Sequence, residues 1–170
     1  WPKPKDGTGF PARVFAIVPR YISPIIPGEK EFLMSVPQPD PLLPVLRDDE
    51  LSERATAVFA DIRATRNTDF VNNIWRVLAN DPQLLEQTWA EVKGVLGADG
   101  ELDVLTKQLI YIAVSVAQGC NYCIRSHTAA ARNLGLTDAQ FAELHAVIGV
   151  AAKTNRLVQG LQVPIDDAFL

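Results

Sequence analysis

The residues with the most chemistry in this 170-residue chain lie in one stretch, Gly119-Cys120-Asn121-Tyr122-Cys123-Ile124-Arg125-Ser126-His127, which holds both cysteines and one of the two histidines. Read as a helix opening just after Gly119, it sets Cys120 and Cys123 at i, i+3 and Cys123 and His127 at i, i+4, so the three side chains share one face. The first turn of a helix leaves N–H groups unpaired and carries the positive end of the macrodipole, which favours a thiolate there. The thiolate is the reactive form of cysteine, so redox chemistry of a dithiol is the leading expectation. Three other readings stay open. A structural disulfide closing so short a loop constrains the unfolded chain little. A zinc site would take Cys120, Cys123 and His127 and need a fourth ligand, with His145 the only other histidine. Two cysteines can also be buried as small apolar side chains. An iron-sulfur cluster, which wants four thiolates, is excluded.

A site on one helix needs other elements to hold it, and from Asp48 onward helical signals follow one another. Leu51, Ala55, Val58, Phe59 and Ile62 recur at helical spacing behind the acidic run Asp48-Asp49-Glu50, which suits a helix N-terminus. Asp69 is the expected cap of a second helix with Phe70, Ile74, Val77 and Leu78 on its inner face. Asn80-Asp81-Pro82 ends it and opens a third with proline at the first position, lined by Leu84, Leu85, Trp89, Val92 and Val95. Trp75 and Trp89 are expected in the core. After the break at Gly97 to Gly100, the stretch following Leu102 or Asp103 shows Leu105, Leu109, Ile110, Ile112, Ala113, Val116 and Ala117 with little polar face, as for a helix buried in the middle of a bundle. The dithiol helix is expected from Asn121 to Leu134, ended by Gly135. Thr137-Asp138-Ala139-Gln140 is a capping box that starts a helix with Phe141, Leu144, Val147 and Ile148 inward. A shorter helical stretch around Lys153 to Gln159 and a tail from Pro164 follow. The reading is an all-α bundle of six to seven helices, in which His145 is structural.

The start of the chain is different. Ten of the twelve prolines fall within the first 44 residues, which excludes a long helix and leaves extended or turn conformations. The expected organisation is an extended proline-rich arm over residues 1–47 and a helical domain over 48–170. Val14, Phe15, Ile17, Ile22, Ile25 and Ile26 are the arm's expected anchors across the bundle of its own or an adjacent subunit. No stretch reads as a transmembrane helix. With 48% hydrophobic and 21% charged residues and a net charge of -4, the composition is that of a globular protein without the basic patch a nucleic acid needs. Opening on Trp1 rather than Met fits either processing or a truncated chain, with any targeting segment out of view. The expected compartment is the cytoplasm, or an organelle matrix after removal of a targeting segment.

The run from Leu105 through Thr106-Lys107-Gln108 and Gly119-Cys120-Asn121-Tyr122-Cys123 to His127 resembles the core of the alkylhydroperoxidase D (AhpD-like) branch of the carboxymuconolactone decarboxylase superfamily. The resemblance covers about Asp69 to Val163, including Asn80-Asp81-Pro82 and Thr154-Asn155-Arg156, and leaves out the arm. It implies an AhpD-like helical bundle and a thiol-dependent peroxidase that reduces small organic hydroperoxides. Such an enzyme uses no metal, flavin or other cofactor and draws on an external thiol or dithiol donor. It implies the peroxidatic role for Cys123, the resolving role for Cys120 and proton transfer for His127. The family's relay glutamate falls on Gln108 and a histidine of the type member on Tyr122, so two titrating groups are absent. An amide holds a hydrogen bond but does not exchange a proton as a carboxylate does. Gln108 also precedes Cys120 by about 18 Å of continuous helix, so only a fold-back near Gly119 brings them together. AhpD-like proteins associate as trimers or multiples of them, which implies a homo-oligomer, trimer or hexamer. The alternative is a catalytically weakened subunit of a larger assembly that acts through its arm. A cofactorless decarboxylase, the other namesake activity, ranks third because it would leave the cysteine pair unused.

Overall fold

The computed structural model describes residues 40–97 and 100–169, of which those from Leu43 onward form one compact unit. The anchors expected in the arm, Val14 to Ile26, lie outside the described residues. Six α-helices follow in order: α1 Glu53–Arg66, α2 Asn73–Leu78, α3 Pro82–Leu96, α4 Val104–Gln118, α5 Asn121–Asn133 and α6 Asp138–Gly160. Short 3-10 turns lie at Asp48–Glu50 and Asp167–Phe169, and no strand occurs among the described residues. The described residues form an all-α bundle.

Five of the six helices start where a side chain satisfies one or more of their free N–H groups. Ser52 caps α1 through the N–H of Ala55, so the acidic run Asp48-Asp49-Glu50 forms the turn before the helix rather than its start. Asp81 accepts from Gln83 and Leu84 ahead of Pro82, and Asp103 accepts from Thr106. Thr137 and Gln140 close the expected capping box on α6. Asp69 does not cap α2. The N-cap is Asn72, whose side chain makes no capping bond and instead accepts from Arg66 Nη1 at 2.7 Å.

Two apolar clusters result. In the first, Ala55, Val58, Phe59 and Ile62 of α1 meet Val71, Trp75 and Ala79 around α2 and Leu85 and Trp89 of α3. The two indoles meet edge to face, with ring centres 5.4 Å apart. The inner face of α2 is therefore set by Val71, Trp75 and Ala79, while Phe70 and Ile74 are exposed. The face expected for α2 was rotated because the i, i+4 series 70, 74, 78 and the series 71, 75, 79 are both apolar, and the one containing tryptophan buries more surface. Leu84 and Val95 of α3 are likewise exposed.

In the second cluster Ile112, Ala131 and Leu136 are buried, with Leu105, Leu109, Val116, Phe141 and Leu144 packed around them. Here α4 is not enclosed as its composition suggested: Ile110 and Val114 are half exposed. The final helix is one 23-residue element instead of two shorter ones. It has no buried residue, and Val147, expected inward, is exposed with Val150, Leu157 and Val158. No helix among the described residues is long and apolar enough to cross a membrane.

The turn that matters for chemistry joins α4 to α5. Gly119 takes φ 72°, a left-handed conformation that an L-residue with a Cβ adopts at a cost. Its N–H bonds Val116 O at 3.2 Å and the Cys120 N–H bonds Ser115 O at 3.0 Å, the paired bonds of a Schellman ending. Cys120 then serves as the N-cap of α5. Two residues thus reverse the chain, and α4 and α5 form a tight helical hairpin.

Candidate active site

Cys120 and Cys123 are joined as a disulfide with Cα atoms 5.4 Å apart. As N-cap, the Cys120 sulfur accepts from the Cys123 N–H at 3.3 Å, so one sulfur already occupies the place where the N–H groups of α5 concentrate positive potential. Both cysteines and His127 are partly exposed, as the expected sharing of one face requires.

The fold-back at Gly119 brings Gln108 to this face. Gln108 is buried, at 7% exposure, and its Oε1 lies 2.7 Å from His127 Nδ1. One turn along α4, Tyr111 lies flat on the imidazole with ring centres 3.6 Å apart and planes 21° apart. The ring is therefore held at its edge by an amide and on its face by a phenol. With the amide oxygen turned to Nδ1, the proton sits on Nδ1 and the lone pair on Nε2. Burial holds the His127 pKa below its ordinary value of 6.5, and the positive charge of Arg66 lowers it further. His127 is thus neutral at neutral pH and free to accept a proton. Neither sulfur receives a hydrogen bond from His127 among the described residues, where the sulfurs bond each other.

Tyr122, between the cysteines, turns its hydroxyl to the first cluster and accepts from the Ile74 N–H at 3.3 Å. It fixes the start of α5 against the start of α2. Arg66 stands by that junction through its bond to Asn72. Tyr111, Tyr122 as an anchor and Arg66 were not singled out from sequence, because each meets the site through a contact between helices that local spacing does not encode. His145 is apart from the dithiol: its Nδ1 pairs with Phe141 O at 2.9 Å within α6. Among the described residues no three His, Cys, Asp or Glu side chains are grouped so as to hold a metal ion.

The family model for the carboxymuconolactone decarboxylase family matches residues 82–166, from the start of α3 to the tail. The crystal structure of the alkylhydroperoxidase AhpD core from Rhodospirillum rubrum superposes with a TM-score of 0.75 at 56% identity, covering 77% of this chain and 98% of that one. The chain belongs to the carboxymuconolactone decarboxylase family, in its AhpD-like branch. It is also 39% identical over 69 residues to uncharacterized protein 4 in the cox locus of Paracoccus denitrificans, a match spanning 41% of this chain and 60% of that protein.

Proposed function

We propose that this protein is a thiol-dependent peroxidase that reduces small organic hydroperoxides with the Cys120–Cys123 pair and is regenerated by an external thiol or dithiol. The observation that carries the reading is the Gln108–His127 hydrogen bond across the α4–α5 turn, which sets an oriented neutral imidazole one helical turn from Cys123. The family kinship supports it further.

In this reading the reduced Cys123 gives its proton to Nε2 of His127 and attacks the distal oxygen of the hydroperoxide. The O–O bond breaks, the alcohol leaves with the proton returned by His127, and Cys123 becomes a sulfenic acid. Cys120, stabilised as a thiolate by its capping position, attacks that sulfur; water leaves and the disulfide forms. A donor dithiol reduces it by exchange. Gln108 orients His127 without exchanging protons, so proton transfer rests on the imidazole alone. Hydroperoxide consumption measured with a small dithiol donor tests the scheme. Cys123→Ser should abolish turnover, and Cys120→Ser, treated with hydroperoxide in the absence of any donor thiol, should consume one equivalent and hold a sulfenic acid on Cys123. Full turnover in Cys123→Ser would end the proposal.

A second reading, an AhpD-like subunit whose role is assembly, is favoured by the exposed apolar face of α6. It is the reading to keep if the dithiol cycles with reductants but no hydroperoxide is consumed.

A further inference from the structure

Arg47, Arg54, Arg63, Arg76 and Arg132 each reach a carboxylate. Arg66, the last residue of α1, makes no ion pair among the described residues, yet it is not a loose surface cation. Its guanidinium carbon lies 5.1 Å from the ring centre of Trp89 and 5.5 Å from that of Trp75. Nη1 donates to Asn72 Oδ1 at 2.7 Å. A guanidinium has five N–H donors in a planar fork suited to carboxylates, so the neutral amide of Asn72 leaves charge and most donors uncommitted. Burial of the guanidinium lowers its pKa, opposed by Tyr122. The indole on which it rests carries a second uncommitted donor: Trp75 is 4% exposed, and its Nε1–H is buried with no acceptor. Buried donors without acceptors are rare enough to call for an explanation.

This cluster is linked to the dithiol helix through the start of α2. Asn72, which fixes Arg66, is two residues before Ile74, whose N–H binds the hydroxyl of Tyr122 between the cysteines. The charge of Arg66 is also felt at His127.

We propose that Arg66, pinned on Trp75 and Trp89 and held by Asn72, is a substrate-binding residue of the dithiol site that takes a carboxylate carried by the hydroperoxide. The inference rests on the peroxidase reading and names its substrate class. A charge-assisted, bidentate contact with the carboxylate orients the peroxide end toward the sulfurs, and the buried indoles beneath the guanidinium hold the cation in place.

The test compares cumene hydroperoxide with its para-carboxylate, two molecules alike but for the charge. The expected kcat/KM favours the carboxylate by roughly ten- to a hundredfold, the range for a hydrogen bond to a charged group. Arg66→Gln should bring the ratio close to one, and Arg66→Lys should leave an intermediate ratio. Because Arg66 packs on two indoles, salt is the second measurement: raising ionic strength should lower the ratio in the natural protein. A ratio near one in the natural protein, or one unchanged by both Arg66→Gln and salt, overturns the inference and leaves the peroxidase reading intact. If neither hydroperoxide is consumed, the peroxidase reading fails and benzoate decides the subsite. A saturable change in tryptophan fluorescence that Arg66→Gln removes supports it, and no change overturns it.

Discussion

At the scale of single residues the site turns on how Gln108 treats His127. A carboxylate in its place would pair with the imidazolium, so Gln108→Glu should raise the His127 pKa by about one unit or more, readable by NMR titration. If relay through position 108 limits the reaction, the same variant should gain roughly ten- to a thousandfold in turnover. A raised pKa without a gain would mean that orientation, not proton exchange, is what this position supplies. The depressed pKa of His127 also links stability to pH. The unfolded chain binds a proton near 6.5 that the folded chain accepts only at lower pH, so stability is fully present above 6.5. It is lost as pH falls toward the folded pKa, below which both states are protonated and the loss stops. Asp48, held ionised mainly by its bond to Arg63, and Asp61, held mainly by Lys93, have pKa values below 3.8, so their contributions fade only in more acid solution. Melting temperature between pH 7 and 5 should fall more steeply in the natural protein than in His127→Asn; equal slopes would remove His127 from the account. The C-x-x-C-x-x-x-H pattern could be read from sequence because its geometry is internal to one helix. The placement of Tyr111 and Arg66 could not, since each depends on how separate helices dock.

Among the elements, the turns set the geometry. Four helix endings place a residue at positive φ: Asn67 at 50°, Gly119 at 72°, Gly135 at 96° and Gln162 at 50°. A Cβ at Gly119 meets nothing within 4 Å, so Gly119→Ala tests backbone strain alone. It should cost about 1–2 kcal/mol, seen as a lower urea midpoint with unchanged slope. The converse holds after α6, where Gln162 occupies a conformation that glycine prefers, and Gln162→Gly should stabilise by about 0.5–1 kcal/mol. Loss of stability there would show that the Gln162 side chain makes a contact that outweighs its strain. Proline at the first position of α3, the break before Leu102 or Asp103 and the capping box at Thr137 marked three helix starts, since such signals act over a few residues. The face of α2 and the unbroken length of α6 were misjudged because both depend on what lies opposite, which for α6 is largely open surface in a single chain.

For the molecule as a whole, that surface is the strongest statement about company. Val147, Val150, Leu157 and Val158 on α6 and Leu161, Ile165 and Phe169 after it are half exposed or more. Exposed apolar side chains in such number on α6 and the tail behind it fit an interaction surface. We expect a homo-oligomer, trimer or hexamer ahead of dimer, and Val150→Glu with Leu157→Glu should reduce its mass in solution to that of one chain. Each buried aliphatic side chain contributes roughly 1.5–3 kcal/mol, so two charges on the face are enough to decide. Removing residues 1–44 separates the other contribution: unchanged mass and melting temperature would show that the arm does not hold the assembly.

Cys120 ends one helix and begins the next, and it does so through main-chain bonds. Its N–H is fixed to Ser115 O, and its carbonyl accepts from the Ile124 N–H at 3.0 Å. Neither bond involves sulfur. Opening the disulfide should therefore leave the hairpin closed, and reductant should lower stability by no more than about 2 kcal/mol, the chain-entropy value for so small a ring. Collapse of helix content on reduction would contradict this. A catalyst that is oxidised and restored with every substrate molecule must survive that alternation many times over. In the proposed peroxidase cycle, lodging the exchangeable bond at a joint latched independently of it gives the protein endurance, because no round asks the scaffold to come apart.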